Sequence, residues 1–129
     1  MPSIRRTAIA SAMAFAAAIP LAGTAQAGDD SFIAANYYPG DSQAKFISYG
    51  DILAVRDINA DGESGLGKFT AANSDLPWWL WDHNGADNGW TEWNVNIAEG
   101  VKVTVVACVG SYQQFDTIHN CGSPEYGVA

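Results

Sequence analysis

The stretch that decides the fold class of this chain is Val101-Lys-Val-Thr-Val-Val-Ala-Cys-Val109. Every second residue of it is Val or Ala, so these side chains share one face of an extended segment. The opposite face begins with Lys102 and Thr104 and turns apolar at Val106 and Cys108. This alternation predicts a β-strand that covers a hydrophobic core with one face.

Shorter β-like runs precede and follow this strand at spacings of about 8 to 15 residues, as in small all-β domains. Turn-forming pairs such as Asp61-Gly62, Asn84-Gly85 and Glu99-Gly100 separate the runs. We therefore predict an all-β fold, a small antiparallel β-sandwich or barrel of about 6–8 strands. The predicted strands cover residues 43–49, 51–57, 65–72, 78–81, 88–97, 101–110 and 117–121.

The first 27 residues have the pattern of a secretory signal peptide. Arg5 and Arg6 form the basic start, residues 8–21 are an Ala-rich apolar run, and Ala25-Gln26-Ala27 is a small-residue cleavage pattern. The apolar run is shorter than the span of about 20 residues that a transmembrane helix needs. We expect residues 1–27 to be removed and residues 28–129 to form one secreted, extracellular, monomeric domain with no membrane insertion.

The charge balance of residues 28–129 narrows the class of partner. This part of the chain keeps four basic residues and all 14 acidic residues, a formal net charge of −10. Such a charge opposes binding to the phosphates of nucleic acids and to anionic membrane surfaces. An extracellular glycan or a protein is therefore the expected partner.

Two cysteines, Cys108 and Cys121, are the only ones in the chain. Export to an oxidising compartment favours a disulfide between them. A hairpin of the strand at residues 101–110 with the C-terminal segment, turning near Gln114-Phe115, brings the two cysteines within bridging reach.

Three segments of the chain resemble a group of small secreted actinobacterial proteins that have no assigned activity. The segments are Asp57-Ile-Asn-Ala-Asp-Gly-Glu-Ser64, Trp90-Thr-Glu-Trp-Asn-Val-Asn-Ile-Ala-Glu-Gly100 and Val105-Val-Ala-Cys-Val109. The resemblance implies a compact extracellular β-fold and assigns no functional residue. Members of the group often carry a further cysteine near the Asp57 strand, which this chain lacks.

The run Asp57-x-Asn59-x-Asp61-Gly62 matches the first half of a calcium-binding EF-hand loop. The twelfth position of that loop requires a Glu but holds Lys68, so the segment is not an EF-hand. Two interpretations remain. Asp57, Asn59 and Asp61 bind calcium together with another carboxylate, or they are turn residues whose side chains bond to the local backbone. The sequence indicates no other cofactor.

All five tryptophans of the chain lie between residues 78 and 93. If residues 78–81 form a hairpin with residues 88–97 that sets Trp81 opposite Trp90, three indoles share one outer face. A slip of one residue exposes Trp90 alone, and a covering layer makes the indoles part of the core. Exposed indoles beside polar side chains suit a sugar ring or a partner protein. The predicted ligand-binding residues are Trp79, Trp81, Trp90, Glu92, Asn94 and Asn96.

The chain shows no recognisable catalytic motif. Gly62-Glu-Ser64-Gly-Leu66 lacks the second Gly that a nucleophile elbow requires, and His83 and His119 lack metal-ligand spacing. We therefore predict a secreted, non-catalytic binding module for a polysaccharide or cell-wall glycan. The alternative is a protein-directed factor, a protease inhibitor or an antagonistic toxin, that acts through the disulfide-closed loop at residues 110–120.

Overall fold

The structure is a computed structural model that describes residues 28–37, 40–86 and 88–129. The predicted signal peptide at residues 1–27 lies outside the described residues. Within them the chain forms eight strands and one short 3-10 turn at Phe115–Thr117, and no helix is long and apolar enough to cross a membrane. The strands are β1 (Ala34–Ala35), β2 (Ser42–Ile47), β3 (Ile52–Asp57), β4 (Ser64–Ala71), β5 (Trp78–Asp82), β6 (Thr91–Asn94), β7 (Lys102–Gly110) and β8 (Glu125–Val128).

The strands form two four-stranded antiparallel sheets, which confirms the prediction of an all-β, sandwich-like fold. Sheet 1 has the strand order β1-β2-β3-β6, and sheet 2 has the order β5-β4-β7-β8. The predicted strand at residues 101–110 is β7, and it lies between β4 and β8 in the middle of sheet 2. Its central position agrees with its long apolar pattern, because both of its edges and one of its faces are covered.

The inner faces of the two sheets pack together into one hydrophobic core. Sheet 1 contributes Phe46 and Leu53, and sheet 2 contributes Phe69, Val103 and Val105, all of them fully buried. Val103 and Val105 belong to the apolar face of β7 that the sequence predicted. Burial of a large apolar side chain stabilises a fold by about 1.5–3 kcal/mol, so this layer holds the two sheets together.

The hairpin considered between residues 78–81 and residues 88–97 does not form. β5 pairs with β4, where Trp81 lies opposite Leu66, and β6 pairs with β3, where Trp93 lies opposite Leu53. The two strands are therefore edge strands of different sheets. Alternation along a strand determines which side chains share a face, but it does not determine which strand lies alongside.

A buried carboxyl group connects the two sheets at the end of β5. Asp82 is 1% exposed. Its Oδ2 accepts a hydrogen bond of 2.7 Å from the backbone N–H of Asp57 in β3, and its Oδ1 accepts one of 2.8 Å from Oγ1 of Thr91 in β6. One side chain of sheet 2 is thus bonded to two strands of sheet 1.

The C-terminal segment returns along β7 and confirms the predicted disulfide. Cys108 and Cys121 are bonded and lie 13 positions apart in sequence. Next to the disulfide, Val109 and His119 exchange backbone hydrogen bonds of 3.1 and 2.9 Å. The segment between the two cysteines is therefore a closed loop anchored at both ends.

Candidate functional site

The outer face of sheet 2 carries two of the predicted tryptophans. Along β5, Trp78 and Leu80 pack against the core, while Trp79 and Trp81 point to the opposite side of the sheet. Beside them on the outer face, Leu66 and Lys68 of β4 lie opposite Trp81 and Trp79. The period of two along β5 thus divides its apolar side chains between the core and this surface.

The disulfide-closed loop packs across this outer face. The ring of Phe115 meets Trp79 and Trp81 edge to face, with centroid distances of 5.6 and 6.1 Å, and Tyr112 meets Trp81 in the same way at 6.0 Å. Leu66 is fully buried although it belongs to the outer face, since it lies between Trp81 and Cys108 in the strand register. The loop therefore closes a small second apolar cluster on the outside of the sandwich.

His83 extends the aromatic group toward the end of β5. Its ring stacks on Tyr112 with a centroid distance of 4.0 Å and an interplanar angle of 8°. Its Nδ1 lies 3.2 Å from Oγ of Ser64 at the start of β4. We call Trp79, Trp81, His83, Tyr112 and Phe115 the aromatic platform.

A cleft begins where the aromatic platform ends. It has a volume of about 420 Å³ and lies between the β3–β4 turn and the segment that follows β5. His83 belongs both to the platform and to the wall of the cleft, so the two form one continuous surface. The polar side chains that line the cleft are Asp57, Asn59, Glu63, Ser64, Asp82 and His83.

The β3–β4 turn is held by hydrogen bonds from its own backbone. Oδ1 of Asp57 accepts from the N–H of Asn59 at 3.1 Å, and Oδ1 of Asp61 accepts from the N–H of Glu63 at 3.0 Å. The side-chain Nδ2 of Asn59 donates to Oδ2 of Asp41 at 3.3 Å. The turn interpretation of the Asp57-x-Asn59-x-Asp61 run accounts for these contacts.

Calcium binding by this turn stays a prediction. Within residues 28–37, 40–86 and 88–129, no group of three or more His, Cys, Asp or Glu side chains is placed so that it could hold a metal ion. Calcium requires six to eight oxygen ligands. One oxygen each of Asp57 and Asp61 already accepts a backbone hydrogen bond.

Two buried carboxyl groups beside the cleft have opposite pKa shifts. Burial raises the pKa of Asp57, the charges of Asp61, Asp41 and Asp82 raise it further, and the hydrogen bond from Asn59 only partly compensates. Burial also acts to raise the pKa of Asp41, but hydrogen bonds with Asp61, Asn36 and Asn59 outweigh it, so that pKa is lowered. Folding therefore disfavours the ionised form of Asp57 and favours the ionised form of Asp41.

Replacing Asp57 by asparagine is expected to raise the melting temperature at neutral pH. Since the folded protein raises the pKa of Asp57, its ionised form destabilises the fold at pH values above that pKa. Asparagine removes the charge and keeps an oxygen for the N–H of Asn59. The gain should shrink as the pH falls through the raised pKa, because Asp57 then becomes neutral in the wild type.

Thermal melts of the wild type and of Asp57→Asn between about pH 7 and pH 3 test this pH dependence. Asp116→Asn, at an exposed position of the 3-10 turn, is the matched control and should not change the melting temperature. If the rise in melting temperature stays constant or grows as the pH falls, the conclusion that ionised Asp57 destabilises the fold is wrong.

Of the other predicted ligand-binding residues, Trp90, Glu92 and Asn94 lie on the outer face of sheet 1, and Asn96 follows its strand β6. Trp90 contacts Lys45 and Arg56, and Glu92 lies opposite Ala54 in the register of β6 with β3. Asn94 donates from Nδ2 to the backbone oxygen of Gly50 at 3.1 Å, and Asn96 is exposed just after β6. The predicted set is thus divided between the outer faces of two sheets, which point in opposite directions.

Several polar residues of the cleft carry no signal in the sequence. Ser64 and His83 are 19 positions apart, and Nε2 of His119 lies 3.3 Å from Oε2 of Glu63, which is even farther away in sequence. No local motif links these residues, so only the packing of the strands brings them together. Neither nitrogen of His83 is hydrogen bonded to a carboxylate of the described residues, and the arrangement lacks the third group of a catalytic triad there.

No protein-family model, no curated protein and no solved structure matches this chain. The resemblance to small secreted actinobacterial proteins stays a prediction.

Proposed function

We propose that this protein is a secreted, non-catalytic binding module that holds a polysaccharide or cell-wall glycan on the aromatic platform and in the cleft beside it. The observation that carries the proposal is the continuity of the two surfaces through His83, which stacks on Tyr112 and also lines the cleft. A sugar chain presents both apolar ring faces and hydroxyl groups, and this surface offers a partner for each.

The aromatic platform suits the apolar faces of pyranose rings. Phe115 is 56% exposed and Tyr112 is 40% exposed, although both rings are held by edge contacts with tryptophans. The disulfide closes the loop that carries them, so little conformational entropy is lost when a ligand binds. Rigid, partly exposed rings are the usual stacking partners of sugars and of other amphipathic ligands.

The cleft supplies hydrogen-bonding groups for sugar hydroxyls. Asp57 and Glu63 can accept, Asn59 can donate and accept, and the hydroxyl of Ser64 can do both. Because three of the polar residues that line the cleft are acidic, the cleft disfavours anionic ligands and favours a neutral glycan. A small polar pocket beside an aromatic surface is also sufficient to fix the orientation of one sugar unit.

The test is a depletion assay with insoluble cellulose, chitin, xylan and peptidoglycan, in which the protein that remains in the supernatant is measured. We expect selective loss of the wild type onto one polymer. Trp81→Ala and Phe115→Ala should each weaken this binding at least tenfold, because each removes part of the stacking surface.

Trp93→Ala is the matched control for the depletion assay. Trp93 is 47% exposed but lies in β6 of sheet 1, away from the aromatic platform, so its loss should leave polymer binding unchanged. Circular dichroism spectra establish that each variant is folded. Binding that survives both platform substitutions, or that is lost equally with Trp93→Ala, would refute this site.

A protein partner on the same surface is the second candidate. The observation that favours it is the exposure of two large aromatic side chains, Tyr112 and Phe115, on a disulfide-closed loop. Such side chains are frequent anchors at protein interfaces. The loop packs on sheet 2 through Trp79 and Trp81. Absence of binding to all four polymers would favour this candidate.

A further inference from the structure

The outer face of sheet 1 contains two positively charged side chains around a single tryptophan. Nζ of Lys45 lies 4.2 Å from the ring centroid of Trp90, and Cζ of Arg56 lies 4.6 Å from it. Lys45 belongs to β2 and Arg56 to β3, and both are half-buried. Two paired strands of one sheet thus fix both cations against the same indole.

Neither cation is neutralised by a carboxylate among the described residues. The contact between Glu63 and His119 is the one pairing of a basic with an acidic side chain at salt-bridge distance found there, although the chain has 14 acidic residues. Glu92 is the nearest acidic position in the register of this face, since it lies opposite Ala54, which itself lies opposite Lys45. It forms no ion pair with either cation.

The guanidinium of Arg56 is held with its terminal nitrogens available. Its Nε donates a hydrogen bond of 2.7 Å to Oε1 of Gln43, the residue directly opposite in β2. Among the described residues, the two terminal nitrogens of Arg56 have no hydrogen-bond partner. A planar guanidinium fixed in this way can bind a carboxylate through two parallel hydrogen bonds.

The other two Lys or Arg residues of residues 28–129 are arranged differently from Lys45 and Arg56. Lys68 lies over Trp79 and Lys102 lies over Tyr126, each as a single cation on its ring. Around Trp90 two like charges lie 4.2 and 4.6 Å from one ring centroid, so they repel each other. A bound anion would remove this repulsion.

We propose that Lys45, Arg56 and Trp90 form a second binding site, on the face opposite the aromatic platform, that takes the carboxylate of an acidic sugar. The formal net charge of −10 on residues 28–129 repels a doubly charged phosphate more strongly than a singly charged carboxylate. Gln43, which lies opposite Arg56 in the strand register, places a polar side chain beside the charged pair. This site uses no residue of the aromatic platform, so it stands independently of the function proposed above.

The experiment is a titration of the isotope-labelled protein followed by amide chemical shifts, with methyl glucuronide as the probe. Methyl glucoside is the neutral control, because it differs in the carboxylate alone, and acetate and inorganic phosphate are the simple anions. We expect methyl glucuronide to shift the amides of residues 43–45, 54–56 and 90–94, with at least fivefold higher affinity than the other three compounds.

Variants separate this site from a general charge effect. Arg56→Gln and Arg56→Lys should each weaken glucuronide binding at least fivefold, the second because lysine lacks the paired donors. Lys45→Gln should also weaken glucuronide binding, and it tests the site if the Arg56 variants fold poorly. Lys102→Gln removes a cation stacked on Tyr126 in sheet 2 and should leave binding unchanged.

Three results would overturn the proposal. Equal affinity for methyl glucoside would exclude the carboxylate as the recognised group. Equal or higher affinity for acetate or phosphate would exclude the acidic sugar as its source. Retention of binding by Arg56→Gln and Lys45→Gln would exclude this pair of cations as the site. Because the polymer assay uses Trp81→Ala and Phe115→Ala on the opposite face, its failure and the failure of this test are distinguishable.

Discussion

Replacing Cys108 and Cys121 together by alanine is expected to lower the free energy of unfolding by about 3 kcal/mol, the chain-entropy value for a loop of this size. The two residues are 13 positions apart in sequence, and the bond between them closes the loop that carries Tyr112 and Phe115. For a domain of about 100 residues, this loss corresponds to a fall in melting temperature of about 12–20 °C. Thermal and urea melts of the double variant measure it.

The same substitution should also release the loop from the outer face of sheet 2. The rings of Trp79 and Trp81 would then lose their contacts with Phe115, and Leu66 beneath the loop would become exposed. A red shift of tryptophan fluorescence in the folded variant would report this change. Polymer binding should fall together with it, because the aromatic platform is no longer assembled.

Phe115→Ala is the matched control for the disulfide variant, because it removes one platform ring and keeps the covalent bond. Phe115 is 56% exposed, so its loss should cost at most about 1 kcal/mol. A double cysteine variant that melts within about 3 °C of the wild type would show that the loop is held by aromatic contacts alone.

Asp82→Ala is expected to destabilise the protein by a similar amount, about 3 kcal/mol. The Asp82 side chain is almost fully buried and accepts hydrogen bonds from the N–H of Asp57 and from the hydroxyl of Thr91. Alanine leaves both donors without this acceptor at the contact between the two sheets. The expected fall in melting temperature is again about 12–20 °C.

Two further variants divide the effect of Asp82 between its partners. Thr91→Val keeps the size of the side chain and removes only the bond to Oδ1, so it should cost about 1 kcal/mol. Asp82→Asn keeps one acceptor oxygen, so its loss of stability should lie between the losses caused by Thr91→Val and by Asp82→Ala. Equal stability of Asp82→Ala and the wild type would mean that apolar packing alone joins the sheets at this end.

The position of Asp82 also connects stability with the proposed binding surface. It ends β5, directly after the platform residue Trp81, and it lines the cleft together with Asp57 and Ser64. Loss of the sheet-to-sheet connection should therefore disturb the cleft as well as the fold. Measuring glycan binding at a temperature where Asp82→Ala is still folded separates these two effects.

Much of the fold could be predicted because its signals are local. The alternating valines of β7 are determined by the period of two of a strand, and Val103 and Val105 are buried as that period requires. The pairing of Cys108 with Cys121 followed from there being two cysteines and from the expectation of export. Turn-forming pairs such as Asp61-Gly62 and Glu99-Gly100 fall between strands, where their backbone preferences place them.

The candidate site could be predicted only in part. Alternation along β5 correctly separates Trp79 and Trp81 from Trp78, since these positions depend only on the pleat of one strand. The grouping of Trp79 and Trp81 with Trp90 required a hairpin between β5 and β6, and that hairpin is absent. Hydrogen bonds between strands use backbone groups that every residue has, so the sequence of β5 carries little information about its partner.

The sequence by itself determined the fold class, the apolar face of β7 and the disulfide of this protein, because periodicity, turn chemistry and cysteine pairing act over short distances or have a single solution. Only the tertiary structure decided that β5 and β6 join different sheets, that His83 meets both Tyr112 and Ser64, and that Lys45 and Arg56 converge on Trp90. Each of these contacts joins residues on separate strands or loops. Their positions depend on how two sheets bury their inner faces together, which is a property of the whole core.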